Sequence, residues 1–259
     1  MKDPLALLAT LPGVPEALAA ATASVDAVMW DRALRPLGAE LTAESVVRGA
    51  RDSAALEGVE VPLDGVRDGV ALDGSPMGNA VGAAFRVTSE VPLLVHTISV
   101  APAQAFARLA SLAGADFSDD ERLGRPRSDL VADDPLRLGP LPPPGELAAR
   151  LDTLVRILVA PTEAPALVVA AVAHGELLAL RPFAWGSGLV ARAVFRLILG
   201  SRGLDPHLVI VPEAGLLGAG RVAYVGAARG FMSGTPDGLA AWIDLNCRAV
   251  SEGARAAVR

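Results

Sequence analysis

From Ala164 to Leu180 the chain reads APALVVAAVAHGELLAL, a helix-length run with no polar face. A helix that is apolar all round has no side to give to water, so it belongs at the centre of a fold, surrounded by others. The residues that follow, Arg181-Pro182-Phe183-Ala184-Trp185-Gly186-Ser187-Gly188-Leu189, read as a tight loop. Pro182 stops the first helix, because its ring clashes with the preceding turn and it has no N–H to donate. Gly186 and Gly188 let the backbone turn and expose amides. A second helix is expected from Ser187 to about Leu199, ended by Gly200 or Gly203. Amides exposed at a helix N-terminus attract anions. Gly186, Ser187 and Gly188 are therefore candidate anion ligands, and Ser187 reads as the helix N-cap.

The other segments supply the surrounding helices. Of 259 residues, 52% are hydrophobic and only 4% aromatic, so Ala, Val and Leu must build the core, which suits closely packed helices. Helices are expected near 14–34, 39–56, 62–70, 77–90, 102–113, 146–159, 164–180, 187–199, within 206–218, and at 220–231 and 236–249, from apolar periodicity bounded by Pro and Gly. The fold class is all-α, with about ten helices. Residues 1–13 read as a loosely attached arm. Residues 91–100 are apolar and β-branched, but Pro92 weakens a strand there. Residues 114–145 are irregular and form a long surface loop, with a short β-hairpin around 129–138. Loops of that length in compact domains often carry function.

Charge and cysteine content exclude several classes. The net charge is −6, which disfavours nucleic acid as a partner. The most apolar run, 164–173, is too short to span a bilayer, which needs roughly 20 residues. Cys247 is alone, so neither an internal disulfide nor a cysteine metal cluster is expected, and a cytoplasmic location fits. The N-terminus lacks the pattern of a signal peptide. Lys2 is the only lysine, and the abundance of Ala, Gly and Arg suggests GC-rich coding and an actinobacterial source. His96 and His207 have no Asp or Glu at metal-ligand spacing, and three scattered histidines are not expected to form a zinc site, so no metal site is expected.

The segment Ser53-Ala54-Ala55-Leu56-Glu57-Gly58 closes the helix at 39–56. Gly58 suits the left-handed position after a helix C-terminus. Glu57 meets the negative end of the helix dipole, which is unfavourable unless it reaches a cation elsewhere.

Taken together, these stretches resemble the Fic (Fido) family of AMP-transferring enzymes. Arg181 to Arg192, RPFAWGSGLVAR, resembles the family motif His-Pro-Phe-x-Asp/Glu-Gly-Asn-Gly-Arg-x-x-Arg. SAALEG resembles the family's inhibitory signature, Ser/Thr-x-x-x-Glu-Gly/Asn. Pro142-Pro143-Pro144 before a helix, His174 ahead of the motif, and Gly124-x-x-Arg127 ahead of the expected hairpin also look like the family. The resemblance covers roughly residues 10 to 250. It implies a Fic-like helical domain at 61–259, with an N-terminal helical segment, 1–60, packed on it. The hairpin would correspond to the family's target-positioning flap.

The departures fall on the chemistry. The family's histidine is the general base, and Arg181 stands in its place; a guanidinium stays protonated and accepts no proton. The family's Asp/Glu holds Mg²⁺, and Trp185 stands there, so Mg²⁺ is not expected and no cofactor is certain. Ser187 replaces the nucleotide-binding Asn, and Leu189 replaces the first, phosphate-binding Arg. Pro182, Phe183, Gly186, Gly188 and Arg192 remain, with Phe183 expected to plug into the core. In the family the inhibitory Glu pairs with the second Arg and blocks the ATP γ-phosphate. The resemblance thus implies a Glu57–Arg192 pair, with Ser53, that clasps the N-terminal helix to the core.

The resulting expectation is a Fic-like protein without adenylyltransferase activity. It would bind or regulate through an anion or nucleotide pocket made by Arg181, Gly186, Ser187, Gly188 and Arg192. A nucleotide or phosphorylated small molecule is one expected partner, and a protein on the 114–145 loop another. The alternative is an enzyme of different chemistry that uses Arg181 and Arg192 on a phosphorylated or carboxylate substrate, with Glu57, Glu176 or His174 as base. His174 also reads as a core histidine bonded to backbone, and Cys247 as inert packing.

Overall fold

The structure, a computed structural model, describes residues 3–257. Among these there are twelve α-helices and no strand: α1 (Pro4–Leu8), α2 (Val14–Met29), α3 (Gly38–Leu56), α4 (Leu63–Arg67), α5 (Pro76–Val100), α6 (Pro102–Gly114), α7 (Pro144–Val159), α8 (Ala166–Leu180), α9 (Ser187–Ser201), α10 (Pro212–Ala219), α11 (Arg221–Met232) and α12 (Pro236–Ala257). None is both long and apolar enough to cross a membrane.

The helix without a polar face is the axis of the fold. α8 packs along α9, and α5, α6, α7, α11 and α12 surround the pair. Leu167 to Ala171, Leu177, Leu178 and Leu180 are buried on all sides. α3 lies against α5 and α10, while α2 lies along α12. With α1 touching α8, all three helices of the 1–60 segment rest on later elements of the chain.

Four local expectations are corrected. α5 runs unbroken through Pro92 to Val100, so His96 is helical. Val81, Ala84, Val87, Val91, Leu94 and Ile98 carry one buried stripe across the proline. That burial outweighs a penalty of about 3 kcal/mol for an interior proline, and Pro92 itself faces outward. The N-terminal arm is fastened. The Asp3 carboxylate caps α1 through Leu5 N (3.0 Å) and Ala6 N (3.3 Å), and also accepts from Thr162 Oγ1 (2.6 Å) and Glu163 N (2.9 Å). α12 continues to Ala257 because Val250, Gly253 and Ala254 remain buried.

The fourth correction concerns 114–145. The β-hairpin does not form. Its backbone pairs with the motif loop instead: Arg127 N–H donates to Pro182 O at 2.7 Å and Asp133 N–H to Ala184 O at 2.8 Å. The Arg127 guanidinium donates to Leu180 O (3.1 Å), Arg181 O (3.0 Å) and Pro142 O (2.8 Å). A cation there satisfies the orphan carbonyls at the end of α8 and meets the negative end of its dipole.

Candidate functional site

The motif loop is set by three conformational devices. Arg181 ends α8 in the left-handed region, at φ 42°. Gly186 follows at φ 72°, and a side chain there would also collide with Ala113. Gly186, not Ser187, occupies the cap position of α9, a correction to the expected Ser187 cap. The Ser187 hydroxyl instead turns back to close the loop, donating to Phe183 O at 3.2 Å and accepting from Phe183 N at 3.1 Å. Phe183 is buried in the core. Trp185 stacks on Phe117, with ring centroids 3.9 Å apart and planes at 8°.

The two arginines expected to bind a ligand are both committed to the protein. Arg181 is buried, and its guanidinium donates to Asp134 Oδ2 (2.7 Å), Gly139 O (2.8 Å) and Pro140 O (2.8 Å). It anchors the 114–145 loop. Arg192, on α9, is buried against the end of α3. It donates from Nε to Ser53 Oγ at 2.7 Å and from Nη2 to Ser53 O at 3.1 Å, and forms an ion pair with Glu57. The guanidinium thus sits between the last carbonyls of α3 and the Glu57 carboxylate, supplying the cation that the helix end requires. Gly188 makes this approach possible, because a side-chain carbon there would overlap the Glu57 carboxylate.

His174 is fully buried between Asn246 Oδ1 (2.9 Å to Nδ1) and Tyr224 Oη (2.7 Å to Nε2). Side chains hold it, not the expected backbone. Burial pushes its pKa down to about 3. Glu176 is held by Arg150 through two hydrogen bonds, at 2.8 and 2.9 Å. Cys247 is buried, and burial pushes its thiol up to about 12. No group of three or more His, Cys, Asp or Glu side chains among the described residues is placed to hold a metal ion.

Beside the motif lies a cavity of about 190 Å³, lined by Ala54, Glu57, Val59, Ala80, Asp133, Pro135, Trp185, Gly186 and Leu189. Asp133 was not singled out in the sequence. Burial, then the neighbouring Glu57 and Asp134 charges, push its carboxyl up to about 6. A second group missed in the sequence lies behind the clasp. Arg196 is buried with Nη2 on Ser45 Oγ (2.9 Å) and Leu208 O (3.0 Å), and its Nη1 lies 3.8 Å from Glu213 Oε2. Asp52 is buried nearby and pushed up to about 6, chiefly by burial. The available signal was spacing: Arg196 follows Arg192 by four residues, on the same face of an otherwise apolar helix.

No family model matches the sequence, and no curated protein matches it. Solved structures do. A Fic family protein from Desulfovibrio desulfuricans superposes with a TM-score of 0.72 at 20% identity, over 93% of this chain and 74% of that one. Fic-1 from C. elegans superposes with a TM-score of 0.72 at 16% identity, over 94% of this chain and 71% of that one. The chain has the Fic fold.

Proposed function

We propose that this chain is a Fic-fold binding or regulatory protein without AMP-transferase activity. One observation carries the reading: the guanidinium at position 181 is buried and donates to Asp134, Gly139 and Pro140. It stands where the resemblance puts the general base, and it neither accepts a proton nor lines the cavity. The residues do not fit Mg²⁺ either. Trp185 offers no oxygen and is stacked on Phe117, and Glu57 is already paired with Arg192. Asp133 is the one unpaired carboxylate lining the cavity, with no group of three possible ligands among the described residues. Magnesium binds through carboxylates and substrate phosphates, and the cavity is lined by no arginine or lysine to receive phosphates.

In this reading Ser53, Glu57 and Arg192 hold residues 1–60 on the domain at 61–259 as a permanent clasp. The 114–145 loop, where Leu130 and Val131 are exposed, is the surface for a protein partner, and the setting is cytoplasmic. An enzyme of other chemistry is less well supported, because Arg181, Arg192, Glu176 and His174 all have protein partners.

Incubation with Mg²⁺ and ATP labelled at the α-phosphate tests the proposal. No label is expected in this chain or in added protein targets. Incorporation of AMP would overturn it.

A further inference from the structure

The cavity beside the motif loop has walls of opposite character. Val59, Ala80, Leu189 and Trp185 make it apolar, while Glu57 and Asp133 face it from different elements. Two of the carboxylates around it are in ion pairs and one is not. Glu57, at the end of α3, is paired with Arg192 of α9. Asp134, beside Asp133, is paired with Arg181 at the end of α8. Arg221 of α11 is exposed and donates to the Pro135 carbonyl at the outer edge. Asp133 has no ion pair among the described residues, and its carboxyl accepts a hydrogen bond only from the adjacent Asp134 N–H.

A half-buried, unpaired carboxylate beside an apolar wall lacks a cation. The remaining Glu57 oxygen is a second acceptor. The cavity, of about 190 Å³, suits a small ligand. An anion would meet two carboxylates, and no arginine lines the cavity.

We infer that this cavity binds the ammonium group of a small aliphatic amine, with Asp133 as counter-ion, Glu57 as second acceptor and the alkyl chain on Trp185, Val59 and Leu189. The inference rests on the reading that the chain binds a ligand without transferring AMP. The upward displacement of the Asp133 carboxyl agrees with it, since a cation would relieve the strain of burial.

Titration calorimetry with n-butylamine hydrochloride, n-butanol, inorganic phosphate and Mg²⁺-ATP tests it, with tryptophan fluorescence as a second readout. Butylammonium is expected to bind at least tenfold more tightly than butanol. Asp133→Asn should weaken butylammonium at least tenfold and leave butanol unchanged. Ala80→Leu, which fills the cavity from α5, should abolish both. If Asp133→Asn fails to fold, Ala80→Leu in a protein with wild-type melting decides the question. Equal binding of butanol and butylammonium, tighter binding of phosphate or ATP, undiminished binding in either folded variant, or no binding at all would overturn the inference. The last outcome leaves the proposed function standing, whereas AMP transfer from ATP would remove both.

Discussion

Glu57 and Arg192 form an ion pair although 135 residues separate them in sequence. The guanidinium is almost wholly enclosed, at 1% side-chain exposure, and the carboxylate is 14% exposed. Ser53 contributes both its hydroxyl and its carbonyl to the same guanidinium. The pair joins α3 to α9, and therefore the N-terminal segment to the central helix pair.

Removing one partner is more costly than the pair is favourable. Arg192→Ala leaves Glu57 without a cation at the negative end of a helix, and leaves Ser53 without its donor. A loss of about 3–5 kcal/mol is expected for breaking a buried pair. Urea denaturation of the variant measures it. An unchanged midpoint would mean that α3 is held by apolar packing alone. Gly188→Ala should be destabilising too, because its methyl group displaces the Glu57 carboxylate.

Much of this was legible in the sequence, for identifiable reasons. The α8–loop–α9 unit follows from a run with no polar face, a proline and two glycines. Glu57 stood out because a carboxylate at a helix end is electrostatically wrong. What the sequence hid is what tertiary burial decides. Pro92 reads as a breaker, yet a continuous buried stripe carries α5 through it. Arg181 reads as a cation free for a ligand, yet the carbonyls of Gly139 and Pro140 consume it, and no local pattern marks those carbonyls as its partners. Asp133 looks like any loop aspartate until Glu57, 76 positions earlier, lies across a cavity from it.

The 114–145 loop is held mainly by two arginines. Arg127 donates to four backbone carbonyls, including Asp129 O. Arg127→Ala should therefore release the loop from the end of α8. Faster hydrogen exchange at Asp133 N–H and faster proteolysis near Asp129 to Val131 are the expected readouts. Protection equal to wild type would show that the two backbone bonds to Pro182 and Ala184 suffice.

On the proposed reading, placing the histidine of the Fic motif at position 181 should not by itself confer AMP transfer. Arg181→His removes three hydrogen-bond donations to the loop while Trp185 and Leu189 remain in place. The expected result is lower thermal stability and no AMP incorporation. Label transfer by this single variant would show that Trp185 does not exclude the nucleotide.

Two buried groups give the stability opposite responses to pH. Burial pushes the Asp52 carboxyl up to about 6 from 3.8, so the folded chain binds its proton more tightly than the unfolded chain. Stability from this group is therefore lost as pH rises from about 4 to 6, by on the order of 3 kcal/mol as an upper bound. Burial pushes His174 down to about 3 from 6.5, so the unfolded chain binds that proton more tightly. Stability from His174 is lost as pH falls below about 6.5. The two slopes oppose each other between pH 4 and 6, where Asp133 adds to the Asp52 side. Asp52→Asn should leave the His174 slope less opposed. Denaturation midpoints measured from pH 4 to 8 should then fall more steeply on acidification than in wild type, with the variant more stable at pH 8. A parallel shift of the whole profile would show that Asp52 is ionised throughout that range.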